Sequence, residues 1–140
     1  MLVKRSGKAT AAGEELHQIG EVADLISLSL RTIRHYEEMG VVVPSGRSAG
    51  GFRLYTDRDV ERLRKVMGMK PIGFTLEEIR DVLELLDRID GDDASPEDRD
   101  RLQMYAALAV ERTAKYEHRL ALGRDFTAKL QARAAADRRS

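Results

Sequence analysis

The last third of the chain restricts the fold more than any other segment. Residues 96–131 begin with a proline, contain no further proline and space their apolar side chains as a helix does. Because an α-helix rises about 1.5 Å per residue, this segment predicts a rod of roughly 54 Å. A chain of 140 residues holds one modest domain, which is shorter than that rod. We therefore predict a mainly α-helical protein: a small domain over residues 16–90, a long helix over 95–131, and flexible tails at 1–15 and 132–140.

One heptad register along the rod avoids every charged side chain, whereas the neighbouring register from Tyr105 runs through Arg112 and Arg119. A narrow seam of small and apolar residues favours close packing against an equivalent helix, which predicts a homodimer. The alternative is that the helix folds back on its own domain. The uncharged register consists of Leu102, Ala106, Ala109, Thr113, Tyr116, Leu120, Gly123, Thr127 and Leu130.

Three other positions mark helix starts through a shared pattern. In each, a Ser or Thr is followed three residues later by an acid, so each side chain can bond the other residue's backbone N–H. The helix that starts after Thr56 ends before Pro71 and Gly73, and "VMGMKPIGF" is expected to fill the core, with a small apolar effector pocket as the alternative. The three pairs are Thr56 with Asp59, Thr75 with Glu78, and Ser95 with Asp98.

The segment from Ile19 to Gly40 predicts two short helices joined by a tight turn. The apolar residues of the first share one face, and Ser29 can cap a second helix that ends near Met39. This is a helix-turn-helix pattern. The following "VVVPSGRSAGGFRLYT" predicts a β-hairpin, or wing, in which Phe52 and Leu54 face one way and Arg53 and Tyr55 the other.

Charge is unevenly distributed along a chain whose formal net charge is zero. Residues 1–70 hold 12 basic and 9 acidic side chains, residues 77–100 hold 3 and 11, and residues 101–140 hold 9 and 4. Attraction to a polyanion must therefore come from where the charges lie. The second short helix carries Arg31, Thr32, Arg34, His35 and Tyr36 within six positions.

A helix with such a face fits the major groove of duplex DNA. Arg31 and Thr32, near the helix start, are the candidates for contacts with base edges, because an arginine can donate two hydrogen bonds to guanine. Arg34 and Tyr36 are assigned to phosphates. The alternative is an ordinary solvated face, since Glu37 and Glu38 follow at once.

The order of these motifs resembles the MerR family of bacterial transcription regulators. The resemblance covers residues 17 to about 90 and rests on "IGEVADLISLSLRTIRHYEEMGVV", "GGFRLYT", "DVERLR" and "GFTLEEIRDVL". It implies a winged helix-turn-helix domain and a dimer paired through an antiparallel coiled coil. It also implies that the dimer binds a palindromic promoter site and bends and untwists the DNA, so that RNA polymerase engages two badly spaced promoter elements; repression is a further outcome.

The resemblance places DNA contacts on the reading helix, residues 29–38, and on the wing. Two departures stand out: Ser27 occupies the position of a usual turn glycine, and His35 replaces a more usual tyrosine, which weakens one phosphate contact or makes it sensitive to pH. The implied DNA-binding residues are Ser29, Arg31, Thr32, Arg34, His35, Tyr36, Arg47, Arg53 and Tyr55.

Several function classes are excluded or disfavoured. The chain has no cysteine, which removes thiolate metal sites, disulfides and cysteine nucleophiles. We expect no cofactor, no enzyme and no metal site, because His17, His35 and His118 lie on separate elements. We expect a cytoplasmic protein without membrane contact. Two other functions stay open: an interaction adaptor that does not bind DNA, and an architectural factor of the excisionase type.

Overall fold

The computed structural model describes residues 15–139. The predicted N-terminal tail, and the basic arm of Lys4, Arg5 and Lys8 considered within it, lie outside these residues apart from Glu15. The elements are β1 (Leu16–Gln18), α1 (Ile19–Ile26), α2 (Leu30–Glu38), β2 (Gly46–Arg47), β3 (Arg53–Thr56), α3 (Asp57–Met69), a 3-10 helix (Lys70–Ile72), α4 (Leu76–Asp90) and α5 (Pro96–Arg138).

All three predicted capping boxes are present and reciprocal, at the starts of α3, α4 and α5. In each, the Ser or Thr oxygen accepts from the backbone N–H three residues on, and the acid there accepts from the capping residue's own N–H. These local bonds explain why the helix starts could be predicted to the residue.

The helix-turn-helix prediction is also confirmed. Ser27 ends α1 in the left-handed region, with φ 55° and ψ 39°, where a glycine would be unstrained. Ser29 then caps α2, its hydroxyl oxygen accepting from the Thr32 N–H at 3.1 Å. Gly40, with φ 72°, follows the last turn of α2 and lets the chain reverse toward Val41.

The wing is a two-stranded hairpin, as predicted, but it belongs to a three-stranded antiparallel sheet of order β1-β3-β2. The extra strand β1 places His17 opposite Tyr55. The predicted alternation of side chains along β3 does not produce one buried face and one exposed face. Leu54 and Tyr55 occupy opposite faces and both are buried, whereas Phe52 is exposed. Hence the sheet is covered on both faces at this point.

The core lies where α1, α2, α3 and α4 meet the inner side of β3. Phe74 is buried there and Met67 and Met69 pack against the cluster, so the "VMGMKPIGF" stretch fills the core. The buried apolar members are Val22, Ile26, Ile33, Tyr36, Val41, Val42, Tyr55, Val60, Leu63, Val66, Phe74, Ile79, Val82 and Leu83.

Helix α5 is a single rod that runs to Arg138, seven residues beyond its predicted end. The predicted tail at 132–140 is therefore helical through Arg138, which fits the helix-forming, alanine-rich sequence there. Residues 113–139 are exposed throughout. At about 1.5 Å per residue the rod measures roughly 64 Å.

The first part of α5 packs on its own domain, so the fold-back alternative describes this part of the helix. Arg112 donates to both carboxylate oxygens of Glu78, at 2.9 and 3.0 Å, and its guanidinium lies 4.9 Å from the centre of the Phe74 ring. Arg101 and Tyr105 both bond Asp81 of α4. Gly73, with φ 93°, allows close approach, because a Cβ there would lie 3.2 Å from the Tyr116 hydroxyl.

These bonds affect both carboxyl groups. The Arg112 guanidinium lowers the pKa of Glu78, assisted by the Thr75 backbone N–H. The Tyr105 hydroxyl, followed by Arg101, lowers the pKa of Asp81 against the opposing effect of burial.

Candidate nucleic-acid interface

Helix α2 turns one apolar side inward and a basic side outward. Ile33 is fully buried, while Arg31, Arg34 and His35 are exposed. Within residues 15–139, neither Arg31 nor Arg34 has an acidic partner. The two guanidinium groups are therefore available to an external anion.

The predicted reading residues line one shallow surface depression of about 780 Å³. Tyr36 is largely buried but contributes to this lining, in keeping with a side chain that was expected to point only partly inward. Lys70, from the 3-10 helix after α3, adds a cation that was not among the predicted contact residues. The complete lining is Arg31, Thr32, Arg34, His35, Tyr36, Glu38 and Lys70.

The cap of α2 also fixes one predicted contact residue. The hydroxyl oxygens of Ser29 and Thr32 lie 2.8 Å apart. This bond holds the Thr32 side chain at the helix start, while both hydroxyl oxygens keep a lone pair for another donor.

The wing tip is a tight turn. Ser48 accepts from the Gly51 N–H at 2.9 Å, and its own N–H donates to Phe52 O at 2.8 Å. Arg47 is exposed but folds across the turn, with Nη1 donating to Gly51 O at 3.0 Å. Arg47 lies on β2, the outer strand of the sheet, and is exposed there.

Of the two other wing residues expected to contact DNA, Tyr55 is buried and Arg53 is partly exposed but paired within the protein. Arg53 Nε lies 2.8 and 2.7 Å from the two carboxylate oxygens of Glu37. Tyr55 is 0% exposed, and its hydroxyl donates to Glu37 Oε2 at 3.0 Å. Burial, followed by this bond, raises the pKa of Tyr55 far above its ordinary value. A wing contact by Tyr55 does not fit this placement, because its ring packs in the core.

Glu37 therefore joins the reading helix to the wing. Its carboxylate accepts hydrogen bonds from Arg53, the first residue of β3, and from the buried Tyr55, and so fixes the distance between α2 and β3. In the sequence, Glu37 stood only as an argument for the alternative of a solvated face. Its partners are 16 and 18 residues away, so no local spacing could reveal the network.

A second group of ionisable side chains forms away from α2. His17 is buried between Asp57 and Glu21, and Glu15 lies beside them. Burial acts to lower the pKa of His17, but the bonds to Asp57 and Glu21 outweigh it, so the pKa is raised. A search for histidine pairs misses this group, because its other members are carboxylates.

None of the helices described is both long and apolar enough to pass through a membrane.

The fold and this surface define a winged helix-turn-helix protein with a projecting C-terminal helix. Residues 18–86 match the family described as MerR HTH family regulatory protein. The HTH-type transcriptional regulator HmrR of Sinorhizobium medicae is 32% identical over 114 residues, which cover 81% of this chain and 71% of HmrR. This chain belongs to the MerR family.

Other relatives are matched over a smaller share of their length. The HTH-type transcriptional activator mta of Bacillus subtilis is 40% identical over 68 residues, 49% of this chain but only 26% of mta. Among solved structures, HiNmlR, a MerR family regulator lacking the sensor domain and bound to promoter DNA, is 28% identical with a TM-score of 0.57, covering 75% of this chain and 78% of HiNmlR.

Proposed function

We propose that this chain is a transcription regulator that binds promoter DNA through α2 and the wing. The observation that carries the proposal is the exposed basic side of α2, where Arg31 and Arg34 have no acidic partner in the described part of the chain. The names of mta and HmrR as transcriptional regulators, and the promoter DNA bound by HiNmlR, support it. No catalytic step is part of the proposal.

The residues divide by role. Arg31 and Thr32, at the helix start, are proposed to contact base edges, and Arg34, His35 and Tyr36 to contact phosphates. Ser29 orients Thr32 and offers a hydroxyl to the backbone of the duplex.

The wing and Lys70 are proposed to widen the contact with the duplex. Arg47 adds a phosphate contact from the wing, and Lys70 one from the floor of the depression. Arg53 acts chiefly by holding α2 to the wing through Glu37.

We further propose that two chains pair through the free part of α5 as an antiparallel coiled coil. Leu120 and Leu130 remain more than half exposed. They lie on the same face of α5 that, in the N-terminal part of the helix, packs on the chain's own domain. Ala109 packs against that domain and Leu102 is half-buried, so the seam available to a partner starts near Thr113.

Paired chains would present two reading helices to successive grooves of a palindromic site. Holding a deformed duplex through phosphate contacts costs a few kcal/mol that depend on its sequence. The dimer is thereby proposed to control how RNA polymerase engages the promoter.

DNA binding is tested by selecting a duplex from a random library and measuring affinity for it and for a scrambled duplex at several salt concentrations. Each neutralised phosphate contributes a slope of about −0.9 in log K against log salt. Arg31→Ala should lose about 1–3 kcal/mol on the selected duplex and much less on the scrambled one. Arg124→Ala, an exposed arginine of α5, is the control and should change neither.

Equal losses on both duplexes would remove the base-reading role of Arg31 and keep the DNA-binding function. Absence of any salt-dependent binding would favour an adaptor that recruits a protein partner.

Dimerisation is tested by sedimentation equilibrium of Leu120→Glu, which should yield monomers, because it places a charge in the uncharged seam. Leu122→Glu is the matched control: Leu122 is as exposed, two positions away, and lies outside the seam. If Leu122→Glu dissociates the protein and Leu120→Glu does not, the seam is wrongly placed.

A further inference from the structure

His17 occupies an unusual position for a histidine in a small domain. It is 6% exposed and lies on β1, where pairing with β3 fixes its place beside the first residue of α3, Asp57. The ring Nε2 is 2.6 Å from Asp57 Oδ1, and Nδ1 is 3.4 Å from Glu21 Oε2. Both ring nitrogens therefore face carboxylates supplied by two different helices.

A third carboxylate completes a possible ligand set. One ligand atom each from Glu15, His17 and Asp57 lie within 4.8 Å of one another. One imidazole and two carboxylates suit a divalent ion of the zinc type, with a fourth position left for water. Calcium and magnesium prefer oxygen ligands throughout, and the buried imidazole argues against them.

The distances require movements on the order of 1 Å to reach zinc geometry. Ligand atoms around a tetrahedral zinc ion are roughly 3.4 Å apart, given metal–ligand bonds of about 2.1 Å. Asp57 must therefore move away from Nε2 by less than about 1 Å. Its side chain is 75% exposed and can make that movement without disturbing the core.

Glu21 supplies a second, independent indication of a metal site. Its side chain is largely buried in the first turn of α1, and it accepts from the Nδ1 side of the imidazole. A metal-binding histidine commonly donates its other N–H to a carboxylate in this way, which directs the lone pair of the first nitrogen to the metal. Here Nε2 hydrogen-bonds Asp57, so a metal ion would replace the proton of that bond and meet the Nε2 lone pair.

The surroundings favour a dication. The site opens into a depression of about 610 Å³ whose charged lining has five carboxylates and a single guanidinium, that of Arg64. Arg64 already pairs with Glu61. The charged and titratable lining is Glu15, His17, Glu21, Asp24, Asp57, Glu61 and Arg64.

We propose that Glu15, His17 and Asp57 bind a divalent transition-metal ion of the zinc type, oriented by Glu21. The ion would connect β1 to α3, and since α1 begins directly after β1, it would stiffen the start of the helix-turn-helix. The competing reading is that His17 holds only a proton between its carboxylates.

The test is a Co²⁺ titration of the chelator-treated full chain, followed by visible absorbance and displacement by Zn²⁺. We expect one saturable equivalent per chain. His17→Gln and Asp57→Asn should each weaken binding at least tenfold, and Glu21→Gln about ten- to hundredfold. His118→Gln, on the exposed part of α5, is the matched control and should bind as the native chain does.

Circular dichroism of each variant shows whether it is folded, and Asp57→Asn keeps the proposal testable if His17→Gln is not. Undiminished Zn²⁺ affinity in His17→Gln or Asp57→Asn, or loss of binding in His118→Gln, would overturn the proposal. Absence of saturable binding would leave the proton-only reading. DNA binding is measured separately, so either proposal can fail alone.

Discussion

Replacing Glu37 with alanine should destabilise the protein far more than the same change at its neighbour Glu38. Glu37 accepts from Arg53 and from the buried Tyr55 hydroxyl. Glu38 is exposed and has no such partner within residues 15–139. Both lie in the last turn of α2, so the change in helix propensity is the same for the two variants and cancels in the comparison.

The magnitude follows from the Tyr55 hydroxyl. Removing Glu37 leaves this donor without a partner in a residue that is 0% exposed, and a buried unsatisfied polar group costs about 1–3 kcal/mol. We therefore expect Glu37→Ala to lower the free energy of unfolding by about 2 kcal/mol. The Arg53 pair is open to water and is left out of this figure. Glu38→Ala should stay within about 0.5 kcal/mol of the native chain.

The assay is urea denaturation followed by far-UV circular dichroism, with all variants at one protein concentration so that the proposed association affects them equally. Tyr55→Phe removes the donor itself and should cost less than Glu37→Ala. In the double variant the lone hydroxyl is gone, so its cost should fall below the sum of the two single costs. Equal losses for Glu37→Ala and Glu38→Ala would refute the proposed link between α2 and the wing.

Further predictions concern the turn before α2 and the attachment of α5. Ser27→Gly should raise the free energy of unfolding by up to about 1 kcal/mol, because it relieves a φ of 55°. In the same urea assay Ser29→Gly, which removes a helix cap, should lower that free energy. A lower free energy of unfolding for Ser27→Gly would contradict the inferred strain. The pKa values of Glu78 and Asp81 are lowered in the folded state. The two carboxylates therefore stabilise the contact between α4 and α5 at a pH above their unfolded-state pKa values, and this stabilisation is lost as the pH falls through their folded-state pKa values. Proteolysis of residues 91–95 should therefore accelerate between about pH 5 and pH 3, and an unchanged rate would show that these pairs do not hold α5. Arg112→Gln should reproduce the acid effect at neutral pH in the same proteolysis assay, while Arg124→Gln should not.

The features that could be predicted from sequence depend on residues close together in the chain. The capping boxes span three residues, and the apolar spacing of α1 or α3 repeats within one or two turns. The missed features depend on pairing between distant segments. Strand β1 has three residues and is defined only by its pairing with β3, and Lys70 joins the depression on α2 only after α3 has packed.

The same distinction applies within the candidate site. Arg31 and Arg34 were identified because the helical spacing that turns Ile33 inward leaves both arginines on the outer side of the helix. Tyr55 was assigned to DNA by its match to the wing of the MerR family, but the structure buries it in the core. The alternation of side chains along β3 shows which residues share a face of the sheet. It does not show that other elements of the domain cover both faces.

If two chains pair as proposed, the far part of α5 would make promoter binding depend on how much of this protein the cell contains. Residues 113–139 are exposed throughout, so their helix gains little from its own chain and, with the pairing proposed above, draws its stability from a second copy. At concentrations near the dissociation constant of the dimer, halving the number of chains lowers the fraction that is paired as well as the total number of chains. Gene dosage would then shift promoter occupancy more steeply than in proportion, before any signal molecule is involved.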